Sequence, residues 1–316
     1  MFELNGIFKD YKEDKLKNKY SGFRTFGMIV GFVLFPIFTE TMTIKITEKF
    51  MEKYILDMDK ILLFQLVYTI LPILYVMFFS KVLFKHKFKN LGFSKENFVR
   101  YYSLGALIGL IMFSTCVLIG VILGFQRIVL NPEKISYFMI FLFLIGFLIQ
   151  GMSEEVVLRG WLFSELSYKF GIVAGIILNS LIFSLMHSGN PNITLIAYLN
   201  IFLFGAFESL VYYKWQNLWI CGAIHSIWNF SQGNIFGIQV SGISFSKIKI
   251  FEIKFLSHSN FTGGIFGTEG GLICTFVLIL FSIAILYIIK NDRKLKNYVQ
   301  NDYFDIYPNL DGIWED

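Results

Sequence analysis

GFLIQGMSEEVVLRGWLFSEL, residues Gly146 to Leu166, places two adjacent carboxylates and an arginine inside an apolar run. Glu154 and Glu155 follow the oily stretch from Tyr137 to Ile149 and precede Trp161, Leu162 and Phe163, so no solvated loop accommodates them. The rest of the chain says what kind of solvent surrounds this segment. Of its 316 residues, 55% are hydrophobic, 18% aromatic and only 16% charged, which falls outside the usual soluble range. The apolar residues gather into runs of about twenty, the length that crosses roughly 30 Å of hydrocarbon at 1.5 Å per residue. Eight such runs are legible, near Phe26–Ile44, Ile61–Ser80, Ser103–Gly124, Tyr137–Arg159, Gly171–His187, Ile193–Tyr212, Leu218–Phe230 and Gly271–Ile289. The expectation is an all-α, multi-pass transmembrane bundle of about eight helices.

The polar N-terminal segment up to Thr25 has mixed charge and no signal-peptide pattern, so the first run is expected to remain as a helix. Lys9, Lys12, Lys15, Lys17, Lys19 and Arg24, the basic stretch from Lys81 to Arg100, and the lysines after Ile289 fall on one side if the crossings are even in number. By the positive-inside rule that side is the cytoplasm, with both termini inside and the plasma membrane as the location. One membrane domain, residues 1–316, is the economical organisation, with a core at 137–230, an external loop at 231–270 and a cytoplasmic tail at 290–316. Alternation in SGISFSKIKIFEIKF, from Ser241 to Phe255, predicts a small hairpin within that loop. A net charge of +5 clustered beside spans reads as basicity at a lipid surface and excludes a folded nucleic-acid-binding domain. Cys116, Cys221 and Cys274 sit singly in separate runs, which predicts three buried free thiols.

Ionised groups in the bilayer centre cost about 2.5–3.5 kcal/mol on insertion scales, so they face a bundle interior and find partners. Glu155 and Arg159 are four apart and share a helix face, whereas Glu154 points about 100° away. Arg159 can therefore neutralise Glu155 and leave Glu154 free. A purely structural ion pair needs no second acid beside it. His187 ends the next run, and a turn between Phe170 and Gly171 would set it level with Glu154 across an antiparallel hairpin. His225 and Asn229, one turn apart, supply hydrogen-bond donors suited to a developing oxyanion, or equally to gluing helices together. Counting from a turn near Trp215 puts His225 on the order of 10 Å nearer the cytoplasm than His187. Glu208, one and a half turns before Lys214, is expected to snorkel or pair near the inner surface and is left out of the site.

The ordered trio of Glu-Glu-x-x-x-Arg at Glu154–Arg159, Phe-x-x-x-His at Phe183–His187 and His-x-x-x-Asn at His225–Asn229 resembles the CPBP family of intramembrane proteases. That family includes the type II CAAX prenyl endopeptidases and bacterial relatives linked to bacteriocin processing and immunity. The resemblance covers Tyr137 to Phe230 and implies an all-α membrane bundle enclosing a polar intramembrane cavity, and an endopeptidase acting on a membrane-embedded or lipid-proximal peptide. It also implies roles: Glu154 and His187 activate water, His225 and Asn229 stabilise the oxyanion, and Glu155, Arg159 and Phe183 support the site. No cofactor is expected. A divalent metal such as zinc is the alternative, and its ligands would be Glu154, His187 and His225. The competing functions are a non-catalytic binding or immunity protein of the same fold, and a transporter, which the lack of repeats and of Gly/Pro-broken helices disfavours. Abundant Lys, Ile, Phe and Asn point to an AT-rich, bacterial genome.

Overall fold

The computed structural model describes residues 6–18, scattered positions between 30 and 49, and residues 57–83, 88–243, 246–256 and 259–292. Apart from those scattered positions, the predicted first span lies outside the described residues, as does the tail beyond residue 292. The chain is an all-α, multi-pass membrane bundle. Among the described residues, six helices are long and apolar enough to cross a membrane: Met58–Val82, Phe98–Ile122, Tyr137–Phe170, Ile172–Gly189, Leu195–Trp215 and Leu272–Asn291. Each overlaps one predicted run. Leu107, Leu118, Phe141, Leu181, Phe276 and Ile283 stand exposed on their outer faces. Such exposure is costly in water and ordinary against lipid.

The elements are α1 (Gly6–Asn18), α2 (Met58–Tyr68), α3 (Ile70–Leu83), α4 (Phe98–Ile122), β1 (Gln126–Leu130), α5 (Tyr137–Glu155), α6 (Ser164–Phe170), α7 (Ile172–Met186), α8 (Leu195–Trp215), α9 (Leu218–Phe230), β2 (Phe251–Phe255) and α10 (Leu272–Asn291). Short polar side chains start the helices by satisfying free amides of the first turn. Thr194 Oγ1 accepts from Ala197 N at 3.1 Å and Asn217 Oδ1 from Trp219 N at 2.9 Å. Between α5 and α6 the backbone does not break but widens into a π-type stretch, Val156–Phe163, directly after the two glutamates. Wide turns of this kind are frequent at functional sites. Gly171, at φ 83°, then reverses the chain into α7, where the sequence placed its turn.

Helix α9, with 13 residues about 20 Å long, runs on without a break into a π-type stretch, Ser231–Ile235. It is held in the bundle interior by small residues on its neighbours. A Cβ on Gly109 of α4 would lie 2.4 Å from the Ile224 carbonyl oxygen, and one on Gly151 of α5 would lie 2.5 Å from Ser226 Oγ and 2.6 Å from its backbone nitrogen. Only hydrogen fits at these positions. Gly151→Val should therefore lower stability by about 1–3 kcal/mol, the cost of overpacking, read as a fall in melting temperature in detergent. An unchanged melting temperature would mean that α5 and α9 do not meet at this level.

Among its described residues the alternating stretch from Ser241 to Phe255 contains one strand, β2, whose partner lies outside the stretch. β2 pairs antiparallel with β1, from Gln126 opposite Phe255 to Leu130 opposite Phe251. The partner lies in the link after α4, far away in sequence, which alternation alone cannot reveal. At the opposite end of the bundle, the N-terminal segment read as merely polar forms α1 and buries Phe8 and Tyr11. Phe8 packs edge-on against Phe163 at 5.2 Å between centroids, and Tyr11 donates its hydroxyl to buried Glu165.

Candidate active site

Glu155 is fully buried, and one of its oxygens gathers two donors. Oε1 accepts from Arg159 Nη1 at 2.8 Å and lies 2.8 Å from His225 Nδ1. A carboxylate at that distance accepts, so Nδ1 carries the hydrogen and Nε2 is turned the other way. Arg159 also donates through Nη2 to the Gly205 carbonyl at 3.2 Å, and its guanidinium carbon sits 4.9 Å above the Phe183 ring centroid. The i, i+4 pair expected from spacing thus ties α5 to α8 and, through His225, to α9. Charge-assisted bonds of this kind set geometry more firmly than neutral ones.

Glu154, the partly exposed carboxylate, lies round the helix from its neighbour. His225 Nε2 is 3.8 Å from its Oε2, while Oε1 accepts from Gln150 Nε2. Gln150 Oε1 in turn accepts from Asn229 Nδ2 at 2.9 Å. His187 caps α7, and its Nδ1 lies 2.9 Å from the Phe183 carbonyl, an acceptor, so Nδ1 is the protonated nitrogen and Nε2 is left with its lone pair. The Phe183 ring packs edge-on against both imidazoles, 4.8 Å from His187 and 6.0 Å from His225. Glu154, His187, His225 and Asn229 all line one cavity of about 570 Å³, with Gln150 and Ser153 beside them. No direct hydrogen bond joins Glu154 to His187. What they have in common is the space between the helices that carry them.

The depth offset anticipated for His225 is absent. The count assumed that the link after Trp215 is level with the turn at Gly171, and it is not. Leu218 N donates to the Gly92 carbonyl at 2.9 Å, and a Cβ on Gly160 would lie 3.1 Å from the Leu91 carbonyl oxygen and 3.4 Å from Leu218 Cδ2. Helix α9 therefore starts level with Gly160, well inside the bundle, and runs antiparallel to α5. Matching 218 with 160 sets His225 opposite Ser153, one residue from Glu154.

Apolar side chains also line the cavity, among them Leu62, Phe147, Met186, Ile201 and Phe204. One end is closed by Glu269, which the sequence reading missed. Its Oε1 accepts from Trp228 Nε1 at 3.2 Å and its Oε2 from Gln232 Nε2 at 3.1 Å, Ser241 N at 2.7 Å and Ser241 Oγ at 3.0 Å. Nothing near Glu269 in the chain signals this, because its partners come from α9 and the segment after it. Gln150 was legible in principle, one helical turn before Glu154.

Glu208 does not snorkel. It is fully buried with neither carboxylate oxygen hydrogen-bonded, and Lys214, its supposed partner, pairs with Asp292. Position 208 lies too deep in α8 for its side chain to reach an aqueous surface. Among the described residues, the only trio of metal-ligating atoms within 4.8 Å of one another is Glu155, Glu208 and Cys221. Glu154, His187 and His225, the set expected for a divalent ion, are not such a trio. Nor does the deeper trio fit a metal ion well, since the guanidinium of Arg159 already stands on Glu155 as its cation. The three cysteines are free and buried, as their scatter predicts.

A family model described as Type II CAAX prenyl endopeptidase Rce1-like matches residues 136–231, the stretch that holds α5 to α9 and all three motifs. No curated protein matches the chain.

Proposed function

We propose that this chain, whose residues 136–231 belong to the Rce1-like family of type II CAAX prenyl endopeptidases, is an intramembrane endopeptidase. It hydrolyses a peptide bond in a membrane-associated peptide or protein with a water activated by Glu154 and His187. The observation that carries this reading is the gathering of Glu154, His187, His225 and Asn229 from three helices onto one cavity. An amide needs a base for water and donors for the oxyanion that forms. Glu154 takes the proton from a water that His187 Nε2 orients by accepting its other hydrogen. The water oxygen adds to the carbonyl carbon, and Asn229 Nδ2 with protonated His225 Nε2 donates to the oxyanion. As the C–N bond breaks, Glu154 returns its proton to the departing amine.

Glu155 and Arg159 hold His225 by its Nδ1 and touch no reacting atom in this scheme. No metal takes part. The apolar side chains that share the cavity with the carboxylate suit a substrate segment that arrives from lipid rather than from water. We place the protein in the plasma membrane with both termini in the cytoplasm, on the distribution of lysine and arginine, and in a bacterium, on the abundance of Lys, Ile, Phe and Asn. The test is to compare membrane peptides from wild-type and Glu154→Gln cells by mass spectrometry. Peptides ending at a common new terminus should be present in the first and missing in the second. Identical inventories would leave a non-catalytic binding or immunity role for the same fold.

A further inference from the structure

From the chain of bonds Asn229 to Gln150 to Glu154, we infer that Gln150 is a positioning residue that couples the oxyanion donor to the base; this rests on the proteolytic reading above. Gln150 is not part of the three motifs. It lines the cavity from α5, one turn before Glu154, and is the only described side chain that hydrogen-bonds both Glu154 and Asn229. The orientation of its amide follows from the chemistry of its partners. A carboxylate only accepts, so the Gln150 NH₂ faces Glu154 and its carbonyl faces away. That carbonyl can only receive a hydrogen, so Asn229 must present its own NH₂ and not its oxygen.

The charge on Glu154 thereby decides, through one intervening amide, which end of Asn229 is a donor. One hydrogen of Asn229 Nδ2 is held by Gln150, and the second is fixed relative to it by the planar amide. Without Gln150 the Asn229 amide is free to turn over, and half of its orientations offer an oxygen to an oxyanion. The same bond limits the rotamers of Glu154, so base and donor are fixed in relation to each other before substrate enters. Placement errors of about 1 Å in such groups cost about 10²-fold in rate.

The test uses the full chain in liposomes and an internally quenched peptide spanning a bond that wild-type cells cut and Glu154→Gln cells do not. Gln150→Met keeps length and removes both bonds. It should lower kcat about 10- to 100-fold with KM unchanged. In the Gln150→Met/Asn229→Ala double variant the loss should be smaller than the product of the two single losses, because a misoriented donor and a missing donor are the same defect. Should Gln150→Met fail to fold, Gln150→Glu replaces it. That side chain can still accept from Asn229 but repels Glu154, and the same fall in kcat is expected. A wild-type kcat in either single variant, a loss confined to KM, or losses that multiply in the double variant would overturn the coupling and leave the proteolytic reading standing. Absence of any bond cut in a Glu154-dependent way would overturn both.

Discussion

Glutamine at position 154 should lower the rate of peptide-bond cleavage by about 10³- to 10⁴-fold, the upper range for losing a positioned general base, while the protein inserts and melts as the wild type does. The substitution keeps volume and removes only the ability to take a proton. Glu154 is the one carboxylate of the pair that is free for this role. Glu155 is fully buried and spends its bonded oxygen on Arg159 and His225, whereas Glu154 lines the cavity and carries a single side-chain hydrogen bond, from Gln150. The measurement is a cleavage time course with purified protein in liposomes, alongside its thermal melt. Cleavage by Glu154→Gln within about tenfold of the wild-type rate, on the scale of such base contributions, would remove the base assignment.

Arg159→Met is expected to have the largest effect on stability. Arg159 and Glu155 are both fully excluded from solvent and bonded at 2.8 Å. Removing the cation leaves a buried carboxylate without its charge partner and takes a donor from the Gly205 carbonyl, a loss of about 3–5 kcal/mol. Activity should fall with it, since Glu155 also holds His225. Removing both charges, as Glu155→Gln/Arg159→Met, should recover much of the stability because the cost lies in the unpaired charge rather than in the absence of the pair. It should not recover activity. Equilibrium unfolding in mixed micelles reads both results, and an Arg159→Met protein as stable as the wild type would show that the pair is not buried as described.

Hydrophobic run length was enough to read most of the bundle, because a membrane imposes one length on every span. Even the short helix Leu218–Phe230 is bounded as its apolar run is. The Glu155–Arg159 pair was equally legible, since it depends only on helical spacing within one element. What failed were inferences that needed the relative depth or pairing of distant elements. His225 is level with Glu154 because the link before α9 is recessed, a fact set by Gly92 and Leu218 that no spacing encodes. Glu208 was judged by its nearest lysine in sequence, yet Lys214 turns to Asp292, beyond the last span. The strand at Phe251–Phe255 was visible as alternation while its partner, Gln126–Leu130, was not. Glu269, whose contacts all come from other parts of the chain, left no trace at all.

The central proposal is that Glu154 and His187 act on the same water inside the cavity that both line. The most direct measurement is an experimental structure of the wild-type protein in a lipid nanodisc, at a resolution that shows ordered solvent. The account predicts a water within hydrogen-bonding distance of the Glu154 carboxylate and of His187 Nε2. Side chains turned away from each other, or packed hydrocarbon filling the space between them, would contradict it.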